Sequence, residues 1–347
     1  MREERNISLA ASTTLRLGGN AARFVHAEDE AEAAQVVSEA DARGENVLVL
    51  GGGSNLVVGD GGFDGVVVSC AFDEVRVVRN TEKVHVTVDA GASWDALVAR
   101  AIAEGWSGVE ALSGIPGSVG ATPMQNVGAY GQEVSDTILS VRAYDRREHE
   151  FVEFAAGECA FSYRSSRFKG DARFLITAVT FAFERDELGA AVRYGELSRA
   201  LGVGNGERAS AAKIRETVIS LRRGKGMVLD DADPESVSAG SFFTNPIVEA
   251  ELVPKIAAAA GAMPPTFEAG EGKVKVAAAW LIERAGFKKG EPLGSVGISK
   301  KHALALVHRG GGTTEDLLVL ARSIRDGVKT KLGVELSVEP VLVGCVL

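Results

Sequence analysis

An α+β fold is predicted by three features of the sequence. A helix-period segment feeds a short apolar strand that ends in Gly51-Gly52-Gly53, the middle third is dominated by strand-like runs between short polar pieces, and helical patterns prevail beyond residue 207. At 347 residues the chain is long enough for a substantial core and for two or three domains.

Taken in order, Asp29 to Arg43 reads as a helix. Asp29 is its N-cap, Glu32 completes a capping box, and Ala33, Val36, Val37 and Ala40 form the apolar side before Gly44 ends it. Val47 to Leu50 is a short strand that runs into Gly51-Gly52-Gly53-Ser54-Asn55, and Val66 to Val68 is another after a turn-rich piece. This makes a small α/β unit. Val75 to Val78 and Val84 to Val88 then read as strands, Trp94 to Ala103 as a helix, and Leu139 to Tyr144, Phe151 to Phe154 and Phe174 to Phe183 as further strands. A boundary is expected at Gly202 to Glu207. Beyond it, Ala211 to Arg223, Leu252 to Ala260, Val276 to Ala285 and Glu315 to Lys331 read as helices, the last introduced by Thr313 and Thr314. The final strand is expected at Val334 to Val338, whose residues alternate before Glu339 and Pro340.

Composition excludes several classes. A hydrophobic fraction of 46% with 24% charged residues argues against disorder, and a net charge of -9 gives no general attraction to nucleic acid. Cys70, Cys159 and Cys345 are far apart and odd in number, so neither a metal motif nor a disulfide framework is read. The N-terminal MREERNISLAA lacks an apolar core of signal-peptide length, and no later run approaches a membrane span. A cytoplasmic protein with no membrane insertion is expected.

The densest signal is Gly114 to Gly131, GIPGSVGATPMQNVGAYG, with glycines at 114, 117, 120, 128 and 131 and stiffening prolines at 116 and 123. Glycine at this density suits backbone that turns tightly or approaches a ligand closely; a plain loop is the alternative. Gly51-Gly52-Gly53, directly after a strand, can aim successive amides at an anion, with Ser54 and Asn55 as short donors; a structural turn is again the alternative. Neither segment has the G-x-G-x-x-G spacing of a Rossmann fingerprint, and no Walker A motif occurs.

Ordered motifs along the whole chain make the reading specific. They are Thr14-Leu15-Arg16-Leu17-Gly18-Gly19-Asn20, LGGGSNLVV at 50–58, SGIPGSVGATPMQNVGAYGQE at 113–133, FSYRSSRFK at 161–169, RYGEL at 193–197, AGSFFTNP at 239–246, KVAAAWLIE at 275–283 and VEPVLVG at 338–344. Together they resemble the UDP-N-acetylenolpyruvoylglucosamine reductase family, in its longer form with a tyrosine loop over the substrate. The resemblance implies an α+β chain: a vanillyl-alcohol-oxidase type FAD-binding fold in two portions, 1–72 and 73–206, plus an α+β substrate-binding domain, 207–347, whose final strand returns toward the active site. It implies non-covalent FAD, NADPH as reducing co-substrate, and reduction of the enolpyruvyl ether of a UDP-sugar in cell-wall precursor synthesis; a monomer is expected, although the sequence does not determine the oligomeric state. A flavin-dependent oxidase or dehydrogenase of the same fold is the alternative.

By resemblance, FAD is held by Gly51, Gly52, Gly53, Ser54, Asn55 and Leu56, and by Gly114, Ile115, Pro116, Ser118, Gly120, Ala121, Gln125, Asn126, Gly128, Ala129 and Tyr130. Arg164 and Glu339 are carried onto the substrate carboxylate, where negative charge develops after hydride addition, and Ser241 onto proton delivery at the adjacent carbon. Arg164 also reads as a surface arginine, Glu339 as an edge-strand carboxylate and Ser241 as a turn serine. Tyr194, Lys225, Asn245, Lys275 and His302 match substrate-binding positions, His302 standing where some relatives have glutamine. No G-x-S-x-G surrounds Ser241, which leaves no case for a hydrolase triad.

Overall fold

The structure, a computed structural model, describes residues 1–79 and 83–347. The chain divides into two compact units built from interleaved segments: Met1–Ile7, Ala21–Gly52 and Asp64–Gly224 in the first, and Ser8–Asn20, Gly53–Phe63 and Lys225–Leu347 in the second.

Among the described residues the first unit contains two main sheets and the short pair Gly128–Ala129 with Gln132–Glu133. In the smaller main sheet, Val47–Leu50 pairs in parallel with Phe63–Cys70, from Val47 opposite Val66 to Leu50 opposite Ser69. Helix Glu30–Ala42 belongs to the same core, with Ala33, Val37 and Ala40 buried among Val25, Val66 and Val68. Asp29 caps that helix by accepting from the Glu32 amide at 2.8 Å. The expected capping box is displaced: the Glu32 carboxylate, also bonded by the Met1 ammonium, accepts from the Glu28 amide and not from that of Asp29.

The larger sheet runs in the order Glu150–Ala155, Ile138–Asp145, Phe174–Arg185, Lys83–Asp89, Val75–Arg79. Strict alternation places Val84, Val86 and Val88 inward, each fully buried, and helix Trp94–Ala103 packs Trp94, Leu97, Val98 and Ala101 into the same core with Phe181 and Phe183. The middle third is therefore strand-rich, as its pattern predicts. A smaller cluster of Val192, Leu197, Ile214 and Val218 joins helices Gly195–Leu201 and Ala211–Gly224.

The second unit packs helices Val253–Ala260, Ala278–Ala285 and Thr314–Leu332 with strands Ser238–Ser241, Val296–Ile298 and Ala305–His308 around Phe242, Phe243, Leu281, Ile298, Leu306 and Leu317. Thr313 starts the long helix through a reciprocal box, accepting from the Asp316 amide at 3.1 Å while Asp316 accepts from that of Thr313 at 2.9 Å.

Three sequence expectations change here. Val276 closes strand Lys273–Val276, paired with Thr266, so the helix expected from Val276 begins at Ala278. Leu252 lies in a 3-10 turn, and the α-helix starts at Val253 with Pro254 in its first turn. Val334 to Val338 forms no strand. Val334 and Leu336 are buried and Glu335 and Ser337 exposed, so the alternation marks the correct side, but only an isolated bridge between Val338 and Phe243 joins it to a neighbour. The terminal strand is instead Val341–Val343, parallel to Leu56–Val58. Glu339 therefore precedes a strand and does not follow one.

Candidate functional site

In the first unit the glycine-rich segment is fixed at its start by Asp95, on helix Trp94–Ala103. Its Oδ1 accepts the Gly114 amide at 2.6 Å, and both carboxylate oxygens accept the Arg215 fork at 2.6 and 2.9 Å. Burial works to raise the Asp95 pKa, but Arg215 and the Gly114 amide hold it below the usual carboxylate value. Sequence reading missed both residues, since a polar pair separated by 120 positions leaves no local pattern.

The glycines of both segments meet other parts of the chain closely. A Cβ on Gly52 would stand 2.6 Å from the Gly117 Cα, one on Gly51 2.6 Å from the Ser118 Oγ, and one on Gly120 2.5 Å from the Ala90 Cβ. Part of the glycine requirement is thus chain packing against chain. Trp94 donates to the Gly117 carbonyl, while the Val119 and Gly120 amides donate to Ala92 and Ala90. Among the described residues the amides of Gly52 and Gly117 donate no hydrogen bond, and they belong to two backbones in van der Waals contact. Such a paired amide edge is suited to an anion. Ile115 and Ala129 pack on the core, Pro116 and Gln125 are half-buried, and Ala121 closes the short 3-10 turn Val119–Ala121.

Further along, Asn126 is 1% exposed at φ 46°; its amide donates to Glu133 Oε2 at 2.7 Å and to the Ser162 carbonyl at 3.3 Å, and its oxygen accepts the Ser135 amide. Its side chain is an internal strut. Gly128–Ala129 then pairs with Gln132–Glu133 around Tyr130 and Gly131, whose φ values of 49° and 85° make a two-residue hairpin turn of the left-handed type. Arg164 also has positive φ, 52°, at the tip of a tight turn closed between Ser162 and Ser165. Its Nη2 donates to the Gly128 carbonyl at 2.9 Å, and its guanidinium lies 5.4 Å from the centre of the Tyr163 ring. The structure therefore brings Asn126, Gly128 and Arg164 together. Non-glycine residues held in the left-handed region are costly and concentrate at functional sites.

Tyr194 precedes helix Gly195–Leu201 and meets the Tyr130 ring edge to face, with centroids 5.5 Å apart. Burial pushes the Tyr130 phenol to about 12 and lowers the Arg222 guanidinium to about 10, the latter against the opposing pull of Tyr130 and Asp95. Arg222 belongs electrostatically to this cluster.

The remaining residues lie in the second unit. Gly53, at φ 60°, is pressed against the Ser12 carbonyl, and its own carbonyl accepts the Thr14 amide. Ser54 and Asn55 follow it, and Leu56 opens the parallel pair with Val341–Val343. The Asn55 amide side chain donates to the Glu339 carbonyl at 3.4 Å, the Val341 amide donates to the Asn55 carbonyl, and the Glu339 amide donates to the Phe242 carbonyl. Asn55, Ser241-Phe242 and Glu339 are thereby tied together.

Ser241 pairs with Ala305 at the end of a strand made irregular around Gly240, which adopts φ 72°. Phe242 and Phe243 are both 1% exposed and anchor it, while the Ser241 hydroxyl makes no hydrogen bond among the described residues. Asn245 accepts the Ala278 amide at 2.9 Å, and so caps helix Ala278–Ala285 from outside. Lys275 stands between Ile247 and Phe267 on the central strand of a three-stranded sheet. His302 Nδ1 accepts the Leu304 amide at 3.0 Å, and Lys225 is half-buried just before Gly226. The predicted site residues are thus divided: the Gly114 to Tyr130 set, Gly51, Gly52, Arg164 and Tyr194 in the first unit, the others in the second.

Among the described residues no group of His, Cys, Asp and Glu could hold a metal ion, and no helix is long and apolar enough to cross a membrane. Burial raises the thiols of Cys70 to about 12 and Cys159 to about 11, which keeps them protonated and unreactive.

Comparison with known proteins agrees across the chain. Residues 233–343 match the family model described as UDP-N-acetylenolpyruvoylglucosamine reductase, C-terminal domain, and residues 21–153 match an FAD binding domain. UDP-N-acetylenolpyruvoylglucosamine reductase of Thermobifida fusca (strain YX) is 51% identical over 99% of this chain and 98% of the relative; that of Salinispora arenicola (strain CNS-205) is 52% identical over 98% and 95%. The crystal structure of the Thermus caldophilus reductase aligns over 99% of both chains with a TM-score of 0.67 at 24% identity, which establishes the shared fold.

Proposed function

The chain belongs to the UDP-N-acetylenolpyruvoylglucosamine reductase family and catalyses FAD-dependent reduction of UDP-N-acetylenolpyruvoylglucosamine to UDP-N-acetylmuramate, and on that premise we propose how its residues divide the work. The observation that carries the cofactor reading is the pair of amides at Gly52 and Gly117, held at backbone contact and suited to the pyrophosphate of a dinucleotide. Gly51, Gly52, Gly53, Ser54, Asn55 and Leu56 and the Gly114 to Tyr130 segment hold the cofactor non-covalently. FAD, when bound, supplies the hydride relay between NADPH and the terminal carbon of the enolpyruvyl ether.

Arg164 binds the substrate carboxylate, its fork oriented by the Nη2 bond to Gly128, and so opposes the negative charge that develops there. Glu339 acts on the same charge as an acid group. Ser241 donates its hydroxyl proton to the carbon next to the carboxylate and regains one from solvent; placement against a strongly basic centre, and not a near-neutral pKa, makes a serine sufficient. Tyr194 covers the nucleotide sugar, while Lys225, Asn245, Lys275 and His302 bind its polar groups. The fold is of the vanillyl-alcohol-oxidase type, with FAD-binding portions drawn from 1–72 and 73–206 and a substrate domain drawn from 207–347, helix Ala211–Gly224 standing with the first unit and Ser8–Asn20 and Gly53–Phe63 with the second. The protein acts as a cytoplasmic monomer with NADPH as reductant.

The test is to purify the protein natively, record its flavin spectrum and follow NADPH oxidation with and without UDP-N-acetylenolpyruvoylglucosamine. Bound flavin with substrate-dependent NADPH oxidation is expected; absence of both would sink the assignment.

A further inference from the structure

Glu110 is 1% exposed, yet no step proposed above uses it. Its Oε2 accepts the Gly108 amide at 2.7 Å, and its Oε1 accepts both Gln132 Nε2 at 2.8 Å and the Ala190 amide at 2.5 Å. Gln132 in turn accepts the Ala111 amide at 2.7 Å. One buried carboxylate therefore gathers donors from three separate segments. Gln132 begins the return strand of the hairpin that carries Tyr130, and Ala190 opens the stretch that leads to Tyr194. Gly189 fits this arrangement, because a Cβ there would stand 2.7 Å from Glu110 Oε1 and 2.5 Å from Ile214 Cδ1.

The geometry points to Glu110 as a positioning residue for the nucleotide-sugar substrate: it fixes the base of the Tyr194 segment against the Tyr130 hairpin and so sets where the Tyr194 ring stands. The backbone bonds from Gly189 to Ala209 and from Val192 to Glu207 secure the same segment on its other side without reaching the hairpin. The register between Tyr194 and Tyr130 therefore depends on the carboxylate together with the ring contact at 5.5 Å. Replacing that carboxylate strands donors in a buried place, so the segment must shift or let water in. The inference rests on the reading of Tyr194 as the side chain that covers the substrate.

The test uses the FAD-loaded full chain with Glu110→Gln, Tyr194→Ala and the double variant, and with Gly189→Ala as an independent disturbance of the same contact. Amide hydrogen exchange at Ala190 is expected to speed up in Glu110→Gln and in Gly189→Ala, while flavin content and flavin reduction by NADPH stay unchanged. The KM for the UDP-sugar is expected to rise about tenfold in Glu110→Gln, yet to change less than about twofold when Tyr194 is already alanine, because residues acting through one another are non-additive. Unchanged exchange at Ala190 in both variants would overturn the mooring itself. Equal KM effects of Glu110→Gln with and without Tyr194, or a parallel fall in flavin reduction, would overturn the action through Tyr194. If Tyr194→Ala leaves KM untouched while Ala190 exchange still rises, the mooring stands and the reading of Tyr194 falls.

Discussion

Tyr130 and Tyr194 meet edge to face, at 89° between ring planes, and this contact joins a strained hairpin turn to the start of a helix. Burial moves the Tyr130 phenol pKa from 10 to about 12. Below pH 10 both folded and unfolded chains carry that proton; between 10 and about 12 only the unfolded chain releases it, so this contribution to stability is lost as pH rises. Difference spectroscopy between the protein and Tyr130→Phe should show one phenol ionising near pH 12, and Tyr194→Ala should bring that transition back toward 10.

Gly52 has no room for a side chain, since its Cβ would meet the Gly117 Cα at 2.6 Å and neither backbone can swing aside like a flexible side chain. Gly52→Ala should destabilise the protein by about 1–3 kcal/mol and pry the two amides apart. A raised FAD dissociation constant, measured by flavin fluorescence on reconstitution of the apoprotein, is the expected outcome, and retention of wild-type affinity would exclude this edge as a phosphate contact.

Ser241→Ala removes a hydroxyl without disturbing Phe242 or Phe243, which are packed by their own side chains. Flavin reduction by NADPH should proceed as before, while the step that forms product should slow by about 10²–10⁴. Rapid-mixing absorbance of each half-reaction separates the two, and equal loss in both would remove Ser241 from proton delivery.

How far these elements were legible depended on whether their cause was local. Val47–Leu50 and Trp94–Ala103 stand where their periodicities put them, because an apolar run before glycine and a helical stripe after Ser93 are local signals. The parallel pairing of Val341–Val343 with Leu56–Val58 links segments far apart in the chain, and alternation at Val334 to Val338 reports burial without revealing whether a partner edge exists. The Tyr130-Gly131 hairpin escaped notice because such turns are usually announced by Asn-Gly or Asp-Gly, and a tyrosine at φ 49° carries no such signature. The glycine-rich segments were visible, but their packing on Gly117 and Ala90 was not, since glycine density reports close approach without naming what approaches. Asp95, Arg215 and Glu110 are buried polar residues whose partners come from distant segments, and no pattern of residue types could single them out.

Acid stability should turn on Asp145. Arg173 donates from Nε and Nη2 to this buried carboxylate, which is held at about 2 in place of its usual 3.8. With the folded value depressed, the contribution is present above pH 3.8 and is lost as pH falls toward about 2. Asp145→Asn should therefore melt well below the parent at pH 6, with the gap closing as thermal scans move toward pH 2. A gap independent of pH would assign the effect to packing.

Asn245 offers a way to separate scaffold from substrate contact within one side chain. Its oxygen caps helix Ala278–Ala285 through the Ala278 amide, and the amide hydrogens make no bond among the described residues. Asn245→Asp keeps the capping acceptor, places negative charge at a helix N-terminus where it is tolerated, and removes the donor a pyrophosphate would use. Asn245→Ala removes both and should cost about 1 kcal/mol of stability. If Asn245 binds substrate, the aspartate variant should melt like the parent yet show a higher KM for the UDP-sugar and weaker inhibition by UDP, since its carboxylate repels the phosphates. If Asn245 serves only as a cap, KM should track stability, failing in the alanine variant and not in the aspartate one. Thermal melting and steady-state kinetics on the same preparations decide between them.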